Sequence, residues 1–147
     1  MKKMRKAFVI MNESHSLLPE QEKILEEKFE EYEIISVPAT GWTLEEMKKK
    51  AESICYKVAG AEVKDMGKGR KAVYFPAESP GNAIIFVSPI PYLLKELTAR
   101  SIRGDYEELT TRCVYDVLVF HNDNREKKEL PDGRIIQVVA KEGWQLV

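Results

Sequence analysis

The sequence predicts an α/β fold of Rossmann-like, three-layer type, with a mostly parallel sheet flanked by helices and short antiparallel strands at the C-terminal edge. Three observations predict it. Residues 7–11 (AFVIM), 83–87 (AIIFV) and 117–120 (VLVF) are apolar runs without polar alternation, the pattern of strands covered on both faces. Amphipathic stretches at helical spacing separate them, so strand and helix alternate as they do when crossover helices join parallel strands. Each run also stops abruptly in turn-forming residues. A length of 147 residues fits a single domain, 1–147, that buries a core without disulfides or metal.

The strand at 7–11 leads into Asn12, Glu13, Ser14, His15 and Ser16. A helix is expected over 19–32, with Pro19 in its first turn and Ile24, Leu25, Phe29 and Tyr32 as its apolar stripe. A short strand follows at 34–37. The next helix, 44–58, has the cleanest pattern: Leu44, Met47, Ala51, Ile54, Cys55 and Val58 share one face, and Thr43 with Glu46 forms a capping box. Segment 60–80 gathers Gly and Pro with Lys64, Lys68, Arg70 and Lys71, which predicts an exposed hairpin or mobile loop containing a strand at 71–75. The run 83–87 ends in Ser88-Pro89-Ile90-Pro91, and Leu93, Leu94, Leu97 and Ile102 mark a third helix over 90–102. After the run 117–120 come His121, Asn122, Asp123, Asn124 and Arg125. The tail, 134–140 and 145–147, follows the turn Pro131-Asp132-Gly133 and reads as antiparallel additions to the sheet edge.

Charge is high but balanced, 23 basic against 24 acidic residues, which argues against a dedicated duplex-DNA or polybasic membrane binder. Cys55 and Cys113 each sit in apolar surroundings without a second Cys or a His at ligand spacing, so both read as reduced, buried thiols, and no metal site is expected. The basic start precedes an apolar run too short for a signal peptide, and no stretch is long enough to cross a bilayer; a cytoplasmic protein is expected. There is no Gly-x-Gly-x-x-Gly after the first strand, no Gly-Lys-Ser or Gly-Lys-Thr, and no Gly-x-Ser-x-Gly. These absences argue against a dinucleotide site, a P-loop and an esterase elbow, and no cofactor is expected.

Ligands of open α/β sheets bind outside the carboxyl ends of the strands. That rule selects the loops 12–16, 88–91 and 121–125. Together they hold hydroxyls, amides, both histidines of the chain, and Arg125 near Lys127. Ser, Asn and Asp are also frequent in turns that bind nothing. Histidine, by contrast, titrates near neutral pH and serves as acid or base.

Two stretches carry a family resemblance. The first strand is followed by Ser14-His15-Ser16-Leu17-Leu18-Pro19-Glu20-Gln21, and the later polar loop His121 to Asn124 is followed by Arg125-Glu126 and then Asp132-Gly133. In this the chain resembles small stand-alone CRISPR-associated Rossmann-fold (CARF-like) proteins of the ring-nuclease type, over its first and last thirds. It departs from them at Leu18, where the family has a helix-capping Thr, and at Ser88-Pro89-Ile90-Pro91, where a Gly-containing loop is expected and two prolines remove two backbone donors.

The resemblance implies binding of cyclic oligoadenylate, the second messenger of type III CRISPR antiviral defence, in a groove across a homodimer, with metal-independent cleavage to linear products. It points to Arg125 for phosphate charge and to His15 or His121 as the catalytic acid or base. Asn12, Ser14, Ser16, Ser88, Asn122, Asn124 and Lys127 are assigned to ligand binding. The alternatives are a nucleotide-sensing module without catalysis and an α/β protein-interaction module whose polar loops are only turns.

Overall fold

The computed structural model describes residues 4–105, 110–123, 126–138 and 140–147. The chain runs β1 (Met4–Asn12), α1 (Pro19–Lys28), β2 (Phe29–Val37), α2 (Leu44–Ala59), β3 (Glu62–Gly67), β4 (Arg70–Tyr74), β5 (Ala83–Phe86) and α3 (Pro91–Arg100). It continues with β6 (Ile102–Asp105), β7 (Thr110–Cys113), β8 (Asp116–Asn122), β9 (Glu126–Glu129), β10 (Ile135–Val138) and β11 (Trp144–Leu146).

One mostly parallel sheet of five strands, ordered β11-β8-β5-β1-β2, organises the fold. The apolar runs become its centre, because β1 lies between β2 and β5, and β5 lies between β1 and β8. Successive side chains of β1 point to opposite faces. Phe8 and Ile10 enter a core under α2 and α3 with Ile54, Val58, Leu93 and Leu97. Ala7 and Val9 enter a second core on the α1 side with Leu25, Phe29 and Ile85. Both faces are covered, which is why these strands show no polar alternation. Leu25, Leu93 and Leu97 are fully buried, and each such side chain contributes about 1.5–3 kcal/mol of transfer free energy.

Several boundaries differ from expectation. The first helix ends at Lys28, and Phe29 and Tyr32 lie in β2, a nine-residue edge strand paired with β1 from Met4↔Phe29 to Asn12↔Val37. Its charges (FEEYEIISV) do not prevent strand formation, since an edge strand gains its ladder from one neighbour and keeps polar residues exposed. The third helix ends at Arg100, and Ile102 starts β6 with 61% of its surface exposed. Cys113 closes β7 and is exposed, in contrast to the buried Cys55, because β6 and β7 form a separate two-stranded ribbon.

The segment 60–80 does contain a hairpin, β3 with β4. It follows α2 through Gly60, whose φ of 71° favours glycine and ends the helix. In the tail, only β11 joins the sheet, antiparallel to β8. The stretch expected at 134–140 instead supplies β10, which pairs with β9 as a ribbon of its own; Val139 lies outside the described residues. No helix is long and apolar enough to cross a membrane among the described residues.

Candidate functional site

β1, β5 and β8 are adjacent and parallel, so the loops leaving their C-terminal ends share one rim. From β1 the chain passes through α1 to β2, and from β5 it passes through α3 to the opposite side of the sheet. The first two loops therefore part at the β1/β5 boundary, where the two helices cover different faces. Ligands of open sheets bind at such a switch point, and here the two loops are joined through Ser88. The register places Ile10 beside Phe86 and Phe86 beside Val119. Two residues further on, Asn12 and His121 lie on the same face of their strands, because side chains alternate with period two, and Ser88 sits in the bend after β5.

Ser88 is the centre of the arrangement. It is 3% exposed, and its Oγ accepts the backbone N–H of Asn12 at 2.9 Å while standing 2.7 Å from Nδ1 of His15. The Ser88 hydroxyl gives its proton to an unprotonated Nδ1 or accepts from Nδ1–H, and the tautomer and protonation of the ring decide which. His15 is itself exposed, and Nε2 is the nitrogen left for a ligand.

Asn12 and Ser14 shape the loop. Asn12 Oδ1 accepts from the N–H of Ser14 at 2.9 Å and from its hydroxyl at 2.7 Å, and Asn12 Nδ2 donates to the Pro38 carbonyl at 3.3 Å. This is the local side-chain bonding that Asn favours in turns. Glu13 braces the loop from the other side: its N–H donates to Val37 O, and its Oε1 accepts the Ala39 N–H, both at 2.8 Å. Ser16 is exposed beside this braced turn.

The second loop enters α3 without a side-chain cap at Ile90, and Pro91 occupies the first turn. The amides of Tyr92 and Leu93 are thus left for water or an anion at the positive end of the helix. At the next strand, His121 Nε2 meets Asp123 Oδ1 at 2.8 Å, with both side chains largely exposed. The carboxylate fixes the proton on Nε2 and leaves Nδ1 as the free nitrogen.

The structure thus brings His15, Ser88, Asn12 and Ser14 into one hydrogen-bonded group, with His121 on the neighbouring strand of the same rim. Asn122 turns elsewhere, since its Nδ2 donates to the Glu142 carbonyl and ties β8 to the chain before β11. Lys127 lies on β9 opposite Gln137, exposed on the ribbon. Asn124 and Arg125 lie outside the described residues. Sequence reasoning missed Glu13 and the Pro38–Ala39 backbone; the turn residues after β2 signal a loop there, but nothing local announces its bond to Glu13. Asp123 was visible only as one of several polar loop residues.

Among the described residues no group of three or more His, Cys, Asp or Glu side chains is placed to hold a metal ion. The site offers a buried hydroxyl, two oriented imidazoles and free helix-start amides, a set suited to anion binding and proton transfer. No family model matches the chain, and no solved structure gives a significant match.

Proposed function

We propose that this protein is a Rossmann-like, CARF-type domain of the cytoplasm that binds cyclic oligoadenylate at the β1/β5 crevice and cleaves it without metal to linear products. The observation that carries the reading is the contact of His15 Nδ1 with Ser88 Oγ at the switch point, where the family resemblance also assigns the ligand. In the reaction, a ribose 2′-oxygen attacks the adjacent phosphorus and the bond from phosphorus to the 5′-oxygen breaks. The products are a 2′,3′-cyclic phosphate end and a 5′-hydroxyl. The protein supplies orientation, proton transfer and charge stabilisation, and no protein nucleophile is needed.

The hydrogen bonds divide the roles. Protonated His15 gives Nδ1–H to Ser88 and keeps Nε2–H for the departing 5′-oxygen. His121, with Nε2–H held by Asp123, presents Nδ1 to take the 2′-hydroxyl proton. In this reading the first-turn amides of α3 receive the phosphate charge, and the family resemblance assigns Arg125 and Lys127 to that charge as well. A ligand with two-fold symmetry is matched by two identical half-sites, hence by a homodimer.

Mass spectrometry of cyclic tetra-adenylate and hexa-adenylate incubated with the protein in EDTA tests the reading. Linear products that disappear in His15→Ala are the expected result. Unchanged rings after a long single-turnover incubation remove the catalytic claim.

Nucleotide sensing without turnover is the second reading, favoured by one observation. Asn12, Glu13 and Ser14 bond to one another and to the loop after β2, which makes a preformed binding loop rather than free reactive groups. A saturable thermal shift with no product distinguishes it.

A further inference from the structure

Two β-turns stand at the ends of the paired strands β1 and β2. The first, 12–15, is closed by the His15 N–H donating to the Asn12 carbonyl at 2.9 Å, with Glu13 and Ser14 as its central residues. The second, 38–41, is closed by the Gly41 N–H donating to the Pro38 carbonyl at 2.7 Å, with Ala39 and Thr40 at its centre. Gly41 has a φ of 77°, which glycine adopts without strain, and the chain then enters α2 through its Thr43 cap. The closing bond of a β-turn leaves the N–H of its second residue unused. In the turn 38–41 that donor is Ala39, and Glu13 Oε1 accepts it at 2.8 Å. The Glu13 N–H donates to the Val37 carbonyl, also at 2.8 Å, so one residue grips the end of β2 with both main chain and side chain.

Little else ties this loop to β2. Ser14, His15 and Ser16 are exposed, and α1 begins without a side-chain cap at Leu18. Asn12 Oδ1 is spent within the turn on Ser14, and Asn12 Nδ2 reaches the Pro38 carbonyl only at 3.3 Å. A carboxylate accepting an N–H makes a charge-assisted bond, the stronger kind. His15 closes the same turn two residues after Glu13, so the orientation of that turn decides whether the imidazole stands 2.7 Å from Ser88 Oγ.

The same bond places a charge. Glu13 is the only carboxylate in 12–16, and a carboxylate facing a bound anion repels it. β1 lies between β2 and β5. The bond to Ala39 draws Glu13 to the β2 side, while the contact with Ser88 draws His15 to the β5 side.

We infer that Glu13 is a positioning residue of this site: its carboxylate tethers the turn 12–15 to the turn 38–41 and so holds His15 against Ser88. The catalytic consequence rests on the proposed cleavage; the tether does not. Amide and histidine-ring NMR of the free protein tests the tether. Glu13 is exposed, so its variants keep the fold, which the remaining amide signals verify. In Glu13→Ala the Ala39 amide shifts, and the His15 ring signals move to those of Ser88→Ala, which lacks the contact by design. Glu13→Gln keeps an acceptor oxygen at the same reach and retains the wild-type His15 signals. Wild-type His15 signals in Glu13→Ala overturn the inference, and so does a Gln variant that matches the Ala variant. In single-turnover cleavage of cyclic tetra-adenylate and hexa-adenylate, Glu13→Ala is slower by about tenfold with affinity unchanged, and Glu13→Gln restores the rate. Equal rates in Glu13→Ala and wild type overturn the catalytic consequence. Absence of cleavage by all three proteins removes the nucleotide reading instead, and the spectra still decide the tether.

Discussion

Replacing Ser88 by Ala tests the hydrogen-bonded heart of the site in a way that needs no ligand. The hydroxyl accepts the Asn12 N–H at 2.9 Å, and Ser88 is 3% exposed. Its removal leaves a part-buried backbone donor without that acceptor, which costs about 1–3 kcal/mol, and deletes the contact with His15. The His15 side of that contact is exposed, so its own share is below about 1 kcal/mol. A central value of about 2 kcal/mol corresponds to a fall in Tm of roughly 4–8 °C for a chain of this size. Thermal and urea unfolding followed by circular dichroism measure it. His15→Ala lowers Tm less than Ser88→Ala, and the double variant resembles Ser88→Ala because the shared bond is lost once. A Ser88→Ala protein that melts within about a degree of wild type refutes the claim that this hydroxyl holds the two loops together.

Other consequences concern the rest of the fold. The Lys57 ammonium bonded to Glu33 holds that carboxyl below the usual glutamate range, although partial burial pushes the other way. A depressed carboxyl contributes stability above its unfolded pKa and loses it as pH falls through the folded one. Glu33→Gln is therefore less stable than wild type at neutral pH, by no more than about 1 kcal/mol because the site is solvent-screened, and the difference vanishes in acid; a difference that persists there contradicts the assignment. Burial raises the Cys55 thiol, and burial with the Asp116 carboxylate raises Cys113. A thiol reagent at neutral pH should titrate one cysteine slowly in the native protein, the exposed Cys113, and both after denaturation; two fast native thiols contradict the packing. The Tyr115 hydroxyl, fully buried, donates to the Leu97 carbonyl at 2.5 Å. Tyr115→Phe costs about 1–2 kcal/mol, read as a lower urea midpoint, and an unchanged midpoint shows that the bond contributes nothing.

The three strands at the heart of the sheet were legible because burial on both faces writes an unbroken apolar run, as at 7–11, 83–87 and 117–120. β2 was not. Ile24, Leu25, Phe29 and Tyr32 fit a helical stripe, and the switch to strand at Phe29 depends on nine residues of backbone pairing with β1, which no local pattern records. The β6–β7 and β9–β10 ribbons were harder still, since they lie outside the five-stranded sheet and carry little core signature; Ile102 and Ile135 remain 61% and 67% exposed. At the site, the positions of Asn12, His15, Ser88 and His121 at strand ends were readable from where apolar runs stop. Their partners were not, because the meeting of His15 with Ser88 depends on β1 lying beside β5 rather than beside β8. The capping box at Thr43 and Glu46 forms its first half, with Thr43 Oγ1 accepting the Glu46 N–H at 3.2 Å. At Leu18 no side-chain acceptor exists, and Gln21 Oε1 takes the Leu18 N–H at 3.0 Å instead.

Amide and histidine side-chain NMR spectra of the protein titrated with cyclic tetra-adenylate and cyclic hexa-adenylate test the central claim most directly. Saturable shifts concentrated at Asn12, His15, Ser88, Tyr92 and His121 are the predicted result. Spectra that stay unchanged with both rings, or shifts confined to residues remote from the β1/β5 rim, contradict it.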